Sequence, residues 1–151
     1  MKGQGKAPGR EEREPRTPAG PGVPSIIETM EGARGALLTE LRNMALSLPG
    51  VDERTLYDGF CRHWTPAYYW SGQQLFHVHN FRAGLRATVF VSGKKLEPLI
   101  LDSDRVPLEL RLQLAKSDGP RRSRQVKVRL NSADDLAALL ELTRLKRDSL
   151  R

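Results

Sequence analysis

The chain has a single cysteine, Cys61, among its 151 residues. One thiol excludes an intramolecular disulfide framework and any zinc site built from several thiolates, and it fits a reducing compartment. Long apolar runs are also missing. No stretch approaches the roughly 20 residues that a membrane-spanning helix needs, and the first two dozen residues hold no apolar run of the kind a secretory signal carries. A cytoplasmic address with no membrane partner is expected. Aromatic residues are scarce at 6%. The sequence has no G-x-S-x-G elbow, no phosphate-cradling G-x-x-x-x-G-K-[ST] run and no internal repeat, so neither that kind of hydrolase nor a P-loop enzyme is indicated. What remains is a chain long enough for one ordinary domain plus a tail.

Positive charge is what the sequence has in excess: 25 Lys and Arg against 18 Asp and Glu, a formal net charge of +7. The surplus is uneven. Residues 1–24 carry five bases and three acids, residues 25–118 eleven of each, and residues 119–151 nine bases and four acids. Most of it therefore sits in one run, Arg121, Arg122, Arg124, Lys127 and Arg129. Such a run can hold phosphates through counterion release, although alternating charge along a strand more often marks a solvated outer face. Arg82 and Arg86 extend the patch if the last strand pairs beside the middle of the chain. The partners expected from this charge are nucleic acid or an acidic protein.

Residues 1–24, rich in Gly, Pro, Arg and Glu, cannot offset their ordering entropy and predict a disordered basic tail. Residues 25–151 predict a single α+β domain. Ile26, Met30, Ala33, Leu37, Leu41, Met44 and Leu48 recur every three or four residues, the stripe of an amphipathic helix that Pro49-Gly50 ends. Aromatic and β-branched residues then dominate to about residue 92, predicting a meander with strands at Thr55–Phe60, Ala67–Trp70, Gln74–Asn80 and Leu85–Val91. Pro98 makes Leu96–Leu101 a short buried turn or a one-turn helix. A helix follows Pro107 to about Lys116, then a strand over Gln125–Leu130, then a last helix capped by Ser132 and Asp135. The fold class is α+β: an antiparallel sheet of four to five strands with three helices packed mainly on one face.

Three constellations bear on chemistry. His77 and His79 are two apart on one strand and project from one face, and Cys61 and His63 repeat that spacing upstream. Together the four offer a zinc-type ligand set; alternatively, the histidines share the face of Leu75 and Phe81 as hydrogen-bonded polar groups. Trp64, Tyr68, Tyr69 and Trp70, with His77 and His79, form a candidate small-ligand pocket, or else core filler. Glu97, Asp102 and Asp104 read as caps and helix-dipole partners. No catalytic residue and no cofactor motif emerges, and the reading leans away from an enzyme toward a binding or interaction module.

The run Trp64-Thr65-Pro66-Ala67-Tyr68-Tyr69, followed by Leu75-Phe76-His77-Val78-His79-Asn80-Phe81, Gly84-Leu85-Arg86-Ala87-Thr88-Val89-Phe90-Val91 and Leu96-Glu97-Pro98-Leu99, resembles the uncharacterised bacterial domains grouped with the YdhG-like and MmcQ/YjbR-like proteins. The resemblance extends over about Leu48 to Leu150. It implies a small α+β sandwich with a proline-tyrosine sheet entry, a glycine-punctuated meander and a closing helix. It implies no settled activity, cofactor or catalytic residue. Some MmcQ/YjbR-like members are described as DNA-binding, which is an analogy only.

Overall fold

The computed structural model describes residues 20–92, 94–117 and 124–151. Five strands, β1 (Val51–Asp58), β2 (His63–Trp70), β3 (Gln73–Phe81), β4 (Gly84–Phe90) and β5 (Gln125–Leu130), form one sheet in sequence order. Every neighbouring pair is antiparallel. Helices α1 (Val23–Glu28) and α2 (Arg34–Leu46) precede the sheet, α3 (Leu96–Leu101) and α4 (Leu108–Ala115) lie between β4 and β5, and α5 (Ala133–Ser149) closes the chain. This is the α+β class that the patterning implied, with five helices among the described residues instead of three.

The extra helices have local causes. The stripe expected to form one helix is split: α1 ends at Glu28, and the turn before α2 passes through Gly32 at φ +62°, a left-handed conformation that a continuous helix cannot contain. Pro98 is tolerated in α3 because it sits in the first turn, where its missing N–H would have had no intrahelical partner. α1 starts at Val23, inside the stretch read as tail, and Val23 is buried. Residues 1–19 lie outside the described residues.

The hairpins follow from turn chemistry. Ser71 and Gly72 both have positive φ, the two-residue turn whose twist matches paired strands, and Trp70 pairs with Gln73 across it. The β2–β3 register shifts at Tyr68/Tyr69, which leaves Leu75 as an extra residue on β3. Leu75 is fully buried among the core residues, apart from the histidines it was expected to accompany.

One side of the sheet carries the core. Tyr68, Phe76, Val78, Ala87, Val89, Val126 and Val128 are nearly solvent-free and pack with Leu38 and Leu41 of α2 and Leu136, Leu139 and Leu142 of α5. Polar ties fix the helices on this layer. Glu53 on β1 accepts both from Arg42 Nε of α2, at 3.0 and 2.8 Å, and from the Tyr68 hydroxyl at 2.7 Å. Arg34, at the start of α2, donates to the Asn80 side chain and to the carbonyls of Phe81 and Arg82, pinning the β3–β4 hairpin. β5 is an edge strand, and Gln113 of α4 covers it: its amide donates to the Lys127 carbonyl and accepts from the Lys127 N–H. That satisfies backbone groups an open edge would expose. At the start of α5 the Asp135 carboxylate accepts from the Asn131 and Ser132 N–H groups.

Candidate functional site

Residues directly opposite one another in an antiparallel pair put their side chains on the same face, so the register maps the second face of the sheet. His77 lies opposite Thr88 and His79 opposite Arg86. Arg86 in turn faces Arg129, and Thr88 faces Lys127. His63 on β2 lies opposite Asp58 on β1. Two rows thus cross the open face: His79–Arg86–Arg129, and beside it His77–Thr88–Lys127. All three histidines of the chain share this surface with Cys61 near its corner.

Each imidazole has one nitrogen committed. His79 Nε2 lies 2.7 Å from Asp58 Oδ2, His77 Nδ1 2.8 Å from Gln74 Oε1, and His63 Nδ1 3.1 Å from the Cys61 carbonyl. All three partners are acceptors, so these nitrogens carry protons. His79 Nδ1 and His63 Nε2 are buried and have no partner. The rings touch edge-on, His77 to His79 at 4.9 Å and His63 to His79 at 6.0 Å between centroids. Burial, with His79 as the next cause, pushes His77 down to about 4, so it is neutral at physiological pH.

Asp58 is the organiser of this corner. Its Oδ1 accepts from the Phe60 and Cys61 N–H groups, which folds the β1–β2 turn, while Oδ2 takes His79. The hydrogen bond from His79, followed by that from Cys61 N–H, holds the carboxyl far below the usual carboxylate range. The Cys61 thiol is pushed up, first by partial burial and then by the Asp58 charge beside it. A thiol held protonated by a neighbouring carboxylate is a poor nucleophile, so Cys61, His79 and Asp58 do not make an activated catalytic triad.

The basic side chains differ in what they do. Arg124 is engaged: its Nη1 lies 2.6 Å from Glu97 Oε2, with both side chains mostly buried, so it serves the α3–β5 junction and is not free for an anion. Arg86 lies over the Phe81 ring at 4.6 Å, and His79 stacks on Phe81 at 5.0 Å. Arg129 and Lys127 are exposed, and Arg82 is exposed in the β3–β4 turn. Among the described residues no carboxylate pairs with Arg86, Lys127 or Arg129. Gln113, Ser117 and Gln125 line a shallow polar hollow with these three bases. Arg121 and Arg122 lie outside the described residues.

No family model, curated protein or solved structure matches this chain.

The six residues read as a small-ligand pocket are divided between the faces. Tyr69, His77 and His79 are on the open side, with Arg54 4.5 Å above the Tyr69 ring. Strand alternation puts Trp64, Tyr68 and Trp70 on the other: Tyr68 is fully buried and stacked on Phe76 at 4.9 Å, Trp64 meets Tyr57 edge-on, and Trp70 lies beside Gly50. They line no common cavity. Of the four residues read as metal ligands, Cys61 and His79 come together with Asp58, while His63 and His77 flank them. Sequence reasoning missed Asp58, Gln74 and Gln113. Asp58-Gly59 is itself a turn signal, but the strand was read through it. No helix among the described residues is long and apolar enough to cross a membrane.

Proposed function

We propose that the protein is a non-catalytic, cytoplasmic binding module whose open sheet face holds the phosphates of a nucleic acid through Arg86, Lys127 and Arg129. One observation carries this reading: Arg86 and Arg129 are directly opposite one another on neighbouring strands, and neither pairs with a carboxylate among the described residues. Like charges in that arrangement destabilise a sheet, and a bound anion removes the penalty. Lys127, one row away on the same face, and the amide side chains of Gln113 and Gln125 add charge and hydrogen bonds of the kind phosphate oxygens accept. A stacking reader of bases is less well supported, because Phe81 is enclosed by His79 and Arg86 and Tyr69 is covered by Arg54. The expected contact is with the backbone, insensitive to base identity.

The test is fluorescence anisotropy of a labelled single-stranded oligonucleotide titrated with the full chain at several salt concentrations. Each phosphate contact lowers the slope of log K against log salt by about 0.7 for single strands, so three bases predict a slope near −2. Lys127→Gln with Arg129→Gln should cut affinity at least tenfold and flatten the slope. Binding that ignores salt, or is unchanged in the double variant, would overturn the reading. Binding to an acidic polypeptide with no binding to the oligonucleotide would do so too and transfer the face to a protein partner.

A further inference from the structure

At the corner where the β1–β2 turn meets β3, at the end of the row that holds Arg86 and Arg129, a carboxylate oxygen of Asp58, the Cys61 sulfur and an imidazole nitrogen of His79 all lie within 4.8 Å of one another. We infer that this corner is a binding site for one borderline divalent cation of the zinc class, with Asp58, Cys61 and His79 as its three protein ligands and water in the fourth position. Oxygen, sulfur and nitrogen donors in one cluster are the set such ions accept, whereas hard cations such as magnesium take oxygen alone. Ligands at about 2.0–2.3 Å from a tetrahedral ion sit roughly 3.3–3.7 Å from each other. Asp58 Oδ2 and His79 Nε2, now 2.7 Å apart, would open by about half an ångström as their hydrogen bond gives way to the ion, and Cys61, within 4.8 Å of both residues' ligand atoms, would close by at most about an ångström. Asp58 and Cys61 are half-buried and can make these movements, while His79, only 7% exposed, stays fixed.

The charges and protons balance. Asp58 is a carboxylate and Cys61 a thiol. Binding releases the thiol proton to solvent, and His79 coordinates through Nε2, which now meets Asp58, with its ring proton on Nδ1. Two negative ligands, one neutral imidazole and one divalent ion then sum to zero. That suits a partly buried corner, where an unbalanced charge is costly.

Because Cys61 is the one cysteine, thiolate-to-cobalt charge transfer in the near ultraviolet can come from nowhere else. Cobalt(II) titrated into the reduced full chain should give this band with a sharp 1:1 endpoint. Zinc should displace it, with release of the thiol proton. Asp58→Asn and His79→Gln should each weaken cobalt binding at least tenfold, and Cys61→Ser, on a half-exposed turn, should fold normally and lose the band. Three outcomes overturn the inference: no band at modest cobalt excess, a stoichiometry other than one, or an affinity that Asp58→Asn leaves unchanged. If His79→Gln fails to fold, Asp58→Asn and Cys61→Ser still decide it. The result is separable from the phosphate reading, since Lys127→Gln with Arg129→Gln should leave cobalt binding untouched.

Discussion

On the helix-covered face of the sheet, Phe76, Val78, Ala87 and Val89 are almost free of solvent; one residue along on the same strands, the open face presents His77, His79, Arg86 and Phe90. A period of two thus splits one set of strands into a layer that holds the fold and a layer that holds chemistry. The two layers are stabilised differently. Behind the sheet, burial of apolar area dominates, with a few polar ties such as Glu53 to Arg42 and Tyr68. In front, rings and guanidinium groups shield each other, and Arg86, Lys127 and Arg129 pair with no carboxylate among the described residues. A substitution behind the sheet should therefore change stability first and binding only through it, and the reverse should hold in front.

The largest expected break of this contrast is Phe76→Ala. Phe76 is 2% exposed and stacks on Tyr68, so its loss should cost about 3–5 kcal/mol of unfolding free energy in urea denaturation. A loss under about 1 kcal/mol would mean that the helices do not close over this face as tightly as the burial says.

Lys146 is the exception behind the sheet, and it gives the next test. It projects from α5, is 8% exposed, and donates from Nζ to the Phe90 carbonyl at 2.7 Å. Burial pushes its pKa down to about 8 from the usual 10.5. A folded pKa below the unfolded one means that the unfolded chain holds more protons between those two values, so stability rises as pH climbs from about 8 toward 10.5. Below pH 8 the buried ammonium carries its full cost, of order 3 kcal/mol. Urea midpoints taken from pH 7 to 9.5 should rise for the natural chain relative to Lys146→Met, and parallel curves would show that the ammonium stays hydrated.

Glu53→Gln should cost less, about 1–2 kcal/mol, because the amide keeps one acceptor for the Tyr68 hydroxyl while the charge-assisted bond from Arg42 is lost. The double cycle with Arg42→Met checks this: the two changes should not add. Full additivity would show that the pair seen between α2 and β1 carries no coupling energy.

How far these layers were readable before any coordinates depends on whether the signal was local. Leu85, Ala87 and Val89 alternate with Arg86, Thr88 and Phe90 in the sequence, and the two faces of β4 follow directly. The strand over Gln125–Leu130 and the Ser132–Asp135 start of α5 are equally local, and both appear at the expected residues. Register was not legible, because it depends on turns and on one bulge. Without the extra residue at Leu75, neither the split of Tyr68 from Tyr69 nor the meeting of Gln74 with His77 could be read. The corner of the site was only half visible for a similar reason: Cys61 and His79 were picked out by residue type, whereas Asp58 joins them through a contact 21 residues distant in the chain. Arg124 shows the converse. It belonged to the basic run by sequence, but its partner, Glu97, is 27 residues away, and only the fold brings the two together.

The smallest expected effect has the opposite sign and sharpens the comparison most. Arg129 is exposed, directly opposite Arg86, and pairs with no carboxylate among the described residues. Arg86 gains from its place over Phe81, so Arg129 is the member of the pair that can be removed without undoing packing. Arg129→Gln keeps a polar, though shorter, side chain and deletes one like charge. It should stabilise the fold by a few tenths of a kcal/mol, within the roughly 0.2–1 kcal/mol range of cross-strand pairs. Because the repulsion is between solvent-facing charges, the gain should shrink as salt rises from low to about 0.5 M. A substitution that makes the folded protein more stable while weakening its hold on an oligonucleotide is what a binding face built against its own stability would give. Destabilisation by Arg129→Gln at low salt would instead mean that the guanidinium is held by a favourable local contact, and the electrostatic case for an anion at β4–β5 would fall with it.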